Sequence, residues 1–385
     1  MDELLSKENL ELRAQVRALA TEYVRPIAAE LDRTSEYPWT VIRALLEAGL
    51  MGVWIPKEYG GKGAGVLNLC LVVEELSKAC GGVGVLYAVN ALGSFPILLG
   101  GTEAQKQQYL PDLAAGRKLI AFGLSEKQAG SDAGGLQTRA QKDGESYILN
   151  GDKKWNTNGG AADIYTIFAT ASPERGTRGI SGMIVEKGTP GFTIGKKEDL
   201  MGIRCVPVHE LHFENCRIPQ ENLLGGKEGQ GFKHAMMTLD LARPGVAAQA
   251  VGLAQGALDL TIKYINEREQ FGQKIASFQA IQFMLADMAT QIEAARQLTY
   301  QSARAADLGV KNVSKMAAMA KVFATDTAMS VTTNCVQLFG GYGFCRDYPI
   351  EKYMRDAKIT QIYEGTNQVQ RLVISRALIR EAASS

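Results

Sequence analysis

IYTIFATASPERGTRGISGMIVEKGTPGFTI, residues 164–194, is the stretch that decides the architecture. Three short runs of β-branched and aromatic residues (IYTIFAT, GMIVE and GFTI) are divided by SPERGTRG and KGTPG, which are turn chemistry. Moving outward, YIL at Tyr147 follows a mixed polar segment, and ELHF at Glu210 closes the series after a further turn. No helical period separates these runs. Short strands at roughly even spacing predict a small antiparallel barrel or sandwich over residues 120–227, and they do not indicate βαβ units.

Both flanks of this zone change to a helical texture. ENLELRAQVRALATEYVRPIAAELDR carries Leu12, Val16, Leu19 and Tyr23 three or four apart, which predicts an apolar helix face. Thr102 and Gln105 have capping-box spacing. Residues 1–119 therefore read as an all-helical domain. From residue 228 to 385 the helical pattern returns in four or five long segments with short connections, which predicts a bundle; Gly309 is placed to end one of them. Met316, Met319 and Met329 read as core filling. The fold class is α+β, mainly α.

Composition removes several function classes. Net charge is +1, with 22% charged residues, so the basic excess of a nucleic-acid surface is missing. Six scattered cysteines form no C-x-x-C, which points to reducing surroundings and no zinc site. His209 and His212 lie three apart in a strand-like run and so face opposite ways. The opening MDELLSKENLELRAQ has no apolar leader core, and no uninterrupted apolar run reaches about 18 residues, so a soluble, bacterial cytoplasmic protein is expected. Neither the dinucleotide G-x-G-x-x-G nor the P-loop pattern occurs, and G-x-S-x-G is also missing.

Five separated segments supply what composition does not. They are GLSEKQAGSD (123–132), WNTNGGAADI (155–164), NEREQFGQKI (266–275), QLFGGYGF (337–344) and MRDAKITQIYEGTNQVQ (354–370). In this order they resemble the acyl-CoA dehydrogenases of short- and medium-chain type, and with GRKLIAFGLSE and LARPGVAAQAVGLAQ the resemblance spans the chain. It implies an N-terminal helical domain, a middle antiparallel β-barrel and a C-terminal four-helix bundle, assembled as a homotetramer that carries FAD. It also implies an acyl-CoA substrate and an electron-transferring flavoprotein as electron acceptor.

The resemblance carries over to individual residues. Ser125 stands where the family has a threonine against the flavin, and keeps its donor and acceptor. Trp155 and Thr157 fall on flavin-contacting positions, as do Thr366 and Gln368. Arg268, Phe271, Gln337 and Gly341 fall on positions that hold the diphosphate and adenine of a neighbouring subunit's FAD; a guanidinium fork suits a diphosphate. Ser131, Asp240 and Arg243 correspond to residues along the CoA moiety. Tyr363 and Gly365 border the acyl group, whose tail would run past Tyr87, Asn90, Ala91 and Leu92.

The reaction implied is removal of the α-proton by a carboxylate while the β-hydrogen leaves as hydride to flavin N5. Such a base needs desolvation to raise its basicity. The enolate oxygen needs donors, which the family supplies from a ribityl hydroxyl and the N–H of the base. Two positions can hold this glutamate in the family. The one on the bundle helix is Ala242 here, which leaves Glu364. The alternatives are an enoyl-CoA reductase or oxidase on the same fold, a dehydrogenase for branched or cyclic acyl groups, or a non-catalytic, flavin- or nucleic-acid-binding relative.

Overall fold

The computed structural model describes residues 5–311 and 313–384, so the first four residues of the expected helical domain lie outside them. Helix α1 (Lys7–Leu19) opens on a Ser6–Asn9 capping box. The turn Ala20–Val24 that continues it is π-helical. That wider turn alters the phase of the apolar stripe. Val16 and Leu19 are buried as expected, but Tyr23 is turned outward and 43% exposed.

Helices α2 (Ala28–Thr34) and α3 (Trp39–Glu47) follow, then α4 (Gly65–Ala79), α5 (Gly81–Gly100) and α6 (Glu103–Ala114). The Thr102–Gln105 capping box is present at the start of α6. Helix α5 carries no charge over its twenty residues and is long and apolar enough to cross a membrane by length and composition alone. It is instead a core helix, since 78% of its apolar window is buried within the protein.

The strands are β1 (Ile120–Gly123), β2 (Arg139–Asp143), β3 (Ser146–Thr157), β4 (Ile164–Thr170), β5 (Ile180–Glu186), β6 (Phe192–Lys197) and β7 (Val208–Pro219). They form one sheet in the order β1-β4-β2-β3-β7-β6, with β5 on β4. The expectation of a closed antiparallel barrel is corrected on two counts. The sheet is an open half-barrel, and β4 pairs in parallel with β1 along its first half and with β2 at Thr170. The physical reason is that β1 and β2 share one edge of β4, while β5 pairs antiparallel along the other. Thr166 of β4 donates to the Gly93 carbonyl of α5 at 2.8 Å.

Three long helices, α7 (Gly231–Glu267), α8 (Gln279–Asp307) and α9 (Val313–Phe339), pack on one another. Between α7 and α8 a two-rung hairpin joins β8 (Glu269–Gln270) to β9 (Gln273–Lys274). The shorter α10 (Ile350–Thr360) lies against α7 and α9, and α11 (Asn367–Ser384) rests on α9. Gly309 takes φ +64° just past α8, as its position suggested. The bundle core is carried by alanines such as Ala250, Ala254, Ala320, Ala324 and Ala328, which permit close helix approach; Met316, Met319 and Met329 are only partly buried at its margin.

The bundle is joined to the N-terminal helices through α7, which packs on α4 and α5. Polar ties reinforce this. Asp307 at the end of α8 accepts from the Val66 and Leu67 amides at 2.6 and 3.0 Å, capping α4 from another domain. Glu74 of α4 bonds both Arg296 and Tyr300 of α8.

Candidate active site

The turn between α10 and α11 has two successive residues at positive φ. Glu364 has φ +52° and Gly365 φ +91°. Glycine tolerates that region freely, whereas for a glutamate it costs of order 1–3 kcal/mol and must be imposed by its surroundings. A Cβ at position 365 would come within 2.7 Å of Gln370 Nε2. The Gln370 amide bonds the Gly365 carbonyl at 2.8 Å and the Glu364 carbonyl at 3.2 Å. Lys321 Nζ, fully buried in α9, reaches the same Gly365 carbonyl and Asn367 Oδ1, both at 2.9 Å. Arg243 Nε lies 3.4 Å from the Glu364 carbonyl.

These contacts fix the main chain and leave the Glu364 side chain unengaged. Its Oε2 atom is buried and has no hydrogen-bond partner. Burial pushes the carboxyl up to about 7, against the opposing pull of Arg243 and Lys321. Tyr363 beside it donates to Gln249 of α7, whose amide is pinned to the Gly81 carbonyl at 3.1 Å. Ala242 is buried on α7 and offers no acid.

Around Arg243 opens a cavity of about 660 Å³, lined by Met236 and Asp240 of α7, by Ser314, and by Arg376 and Arg380 of α11. Arg243 is 4% exposed and pairs with Asp240 at 2.8 Å. Glu364 does not line this cavity; Arg243 connects the two. Ser131 is exposed on the loop after β1 and lies outside the cavity. Tyr87 and Asn90 are buried and spent on the backbone, Tyr87 on the Leu50 carbonyl at 2.6 Å and Asn90 on Leu86 and the Ile120 amide.

Ser125 and Trp155 are brought together at the C-terminal end of β3, where the Lys154 amide bonds the Ser125 carbonyl at 2.9 Å. Trp155 holds φ +58° with its ring 53% exposed, and the half-buried Ser125 and Thr157 hydroxyls bond no protein group among the described residues. Asn156 Oδ1 and Asn158 Oδ1 are buried without partners. An exposed flat ring in a strained backbone, flanked by unengaged polar atoms, fits a planar heterocycle with hydrogen-bonding edges.

A buried ion pair missed by sequence reasoning shapes this region. Glu126 accepts from Lys153 Nζ at 2.6 Å, from the Gln137 and Thr138 amides at 2.6 and 2.9 Å, and from the Thr138 hydroxyl at 2.6 Å. It thereby ties the loop bearing Ser125 and Ser131 to the sheet. Its signal was available as an acid next to Ser125 inside GLSEKQAGSD.

Arg268, Phe271, Gln337 and Gly341 collect at one end of the bundle. Arg268 lies over the Tyr342 ring at 5.5 Å, Phe271 is 94% exposed on the β8–β9 hairpin, and Gln337 and Gly341 are exposed. No contact joins these four to Ser125, Trp155 or Thr157 among the described residues. Of the remaining expected residues, Thr366 accepts from the Val369 amide at 3.3 Å at the start of α11, and Gln368 is exposed.

Comparison with known proteins decides the family. The acyl-CoA dehydrogenase N-terminal, middle and C-terminal domain families match residues 6–117, 121–216 and 229–379. The chain is an acyl-CoA dehydrogenase by family. Members of this family are FAD-dependent oxidoreductases. Butyryl-CoA dehydrogenase from Megasphaera elsdenii superposes with a TM-score of 0.95 at 47% identity, covering 98% of this chain and all of that one. A chain solved in work on the electron transferring flavoprotein of Acidaminococcus fermentans and flavin-based electron bifurcation gives 0.96 at 52%, covering 99% and 100%. Acryloyl-CoA reductase (NADH) of Anaerotignum propionicum is 46% identical over 99% of this chain and 96% of its own.

Proposed function

We propose that this acyl-CoA dehydrogenase oxidises a short acyl-CoA to the trans-2-enoyl-CoA, with Glu364 as the base that removes the α-proton. The observation that carries this reading is the Glu364 carboxyl, whose Oε2 is buried without a partner and whose basicity is raised to about 7. A carboxylate of ordinary acidity in water is too weak a base for a proton next to a thioester carbonyl; desolvation corrects that. As the C–H bond breaks, the proton passes to Glu364 and charge moves onto the thioester oxygen. The Glu364 amide, presented by the left-handed turn, donates to that oxygen. The chemistry that FAD would supply when bound is an acceptor for the β-hydrogen and its electron pair.

In this reading Ser125, Trp155, Thr157, Thr366 and Gln368 hold the flavin ring. Arg268, Phe271, Gln337 and Gly341 hold the diphosphate end of the FAD of a neighbouring subunit. The separation of these two groups within one chain, and the exposure of Phe271 and Phe344, support a homotetramer. Arg243, with Asp240 keeping it in place, and Ser131 would receive the CoA chain. Tyr363 and Gly365 would border the acyl group. Locked by Gln249, Tyr363 makes a rigid wall beside the base, which suits a short acyl chain, as does the similarity to butyryl-CoA dehydrogenase. Electrons would leave to an electron-transferring flavoprotein. The likeness to acryloyl-CoA reductase favours a second reading, the reverse reaction, in which Glu364 returns the proton to the α-carbon.

Glu364→Gln tests the assignment. Turnover of butyryl-CoA falls by about 10³-fold or more while flavin content and circular dichroism stay native. Near-native turnover in that variant removes Glu364 from the role.

A further inference from the structure

We propose that Lys321 is the positioning residue of this site: its buried ammonium both holds the turn that carries Glu364 and supplies the positive charge that keeps that carboxyl ionised in a water-poor setting. The proposal rests on the reading of Glu364 as the base.

Lys321 is 0% exposed and comes from α9, a different element from the turn it supports. An ammonium has three donors and carries a heavy penalty when buried without a counter-charge. Two of its donors go to neutral acceptors, the Gly365 carbonyl and Asn367 Oδ1, both at 2.9 Å. Asn367 is itself oriented by its amide, which donates to Asp326 Oδ1 at 2.7 Å and Thr325 Oγ1 at 2.9 Å. No carboxylate lies within ion-pair distance of Lys321 among the described residues.

The charged groups facing it are Glu364 on the α10–α11 turn, Arg243 of α7 and Asp326 one turn along α9. Two of the three are already committed. Arg243 pairs with Asp240, and Asp326 pairs with Arg371 at 2.8 Å. Lys321 therefore stands beside Arg243 as a positive neighbour of Glu364, and of the two it is the one with no carboxylate in contact. Burial lowers the lysine to about 7 and raises the glutamate to about 7, while each offsets the other's shift. A neutral donor would serve to hold the turn alone; the ammonium adds a charge whose burial has a cost.

The test is α-proton exchange of butyryl-CoA in D2O by the FAD-loaded enzyme without an electron acceptor, followed by mass spectrometry from pH 5 to 10. Native enzyme, Lys321→Gln, Lys321→Met, Lys321→Arg and Glu364→Gln are compared. Removing a cation makes the carboxylate harder to form, so in the Gln and Met variants the rising limb moves up by about one pH unit. Exchange at neutral pH then falls up to about tenfold and recovers in alkali. Lys321→Arg keeps the charge and restores the native midpoint. An unchanged midpoint in Lys321→Gln overturns the proposal, and that variant decides if Lys321→Met fails to fold. Glu364→Gln reports separately: loss of exchange there with no shift in the lysine variants sinks this inference alone. Exchange that survives Glu364→Gln sinks the assignment of the base itself.

Discussion

Two loops carry candidate site residues, and each is fastened by a buried lysine. In the middle domain, Lys153 is fully buried and paired with Glu126, whose remaining lone pairs are filled by two amides and a hydroxyl. In the helical domain, Lys321 is equally buried but bonds only a carbonyl and an amide oxygen. The first cation is neutralised by its direct partner and serves as an anchor. The second has no carboxylate in contact, so its field extends to the nearby unpartnered acid, Glu364. The same residue type thus rigidifies one loop and tunes the chemistry of the other, and the difference lies in the acceptor.

Breaking the anchor has the largest expected effect on stability. Lys153→Met leaves Glu126 buried without its cation, and urea unfolding should show a loss of about 3–5 kcal/mol. The comparison also requires that the protein still folded keep the native pH midpoint for α-proton removal; a displaced midpoint would mean that the two lysines do not divide the roles as described. A smaller effect follows from Asp240→Asn, which frees the Arg243 charge. With more uncompensated positive charge nearby, Glu364 ionises more readily. The rising limb of the pH–rate profile then moves to lower pH by a fraction of a unit, opposite in direction to Lys321→Gln. Smallest is Gln249→Ala, which releases the Tyr363 hydroxyl from its partner. The ratio of kcat/KM for hexanoyl-CoA over butyryl-CoA should rise by only about twofold, with the flavin spectrum unchanged.

Much of the layout was legible in the sequence because it rests on local periodicity. The strand zone announces itself through IYTIFAT and GMIVE, and those residues became β4 and β5. The helical flanks, the Thr102 cap and Gly309 followed from spacing. The barrel was misjudged because parallel pairing of β1 and β2 with β4 is a long-range choice that turn chemistry does not encode. Tyr23 escaped its helix face because a single π-turn rotates everything after it, and no propensity marks such a turn. In the site, Glu364 could be named from its motif and from the alanine at 242. Lys321 and Lys153 could not, since each sits in an ordinary helical or strand pattern and acquires meaning only when a loop from elsewhere in the chain lies over it. Tyr87 and Asn90 looked like pocket residues, but their polar atoms are used to join α5 to its neighbours.

The central claim, a flavin enzyme that oxidises short acyl-CoA with Glu364 as base, is tested most directly by anaerobic titration of the FAD-loaded protein with butyryl-CoA while flavin absorbance is recorded. The account predicts bleaching of the flavin band in the native enzyme as substrate is added, and an unbleached flavin in Glu364→Gln at the same concentrations. A native flavin that stays oxidised under saturating butyryl-CoA and other short acyl-CoAs would contradict it, as would a Glu364→Gln variant that bleaches at the native rate.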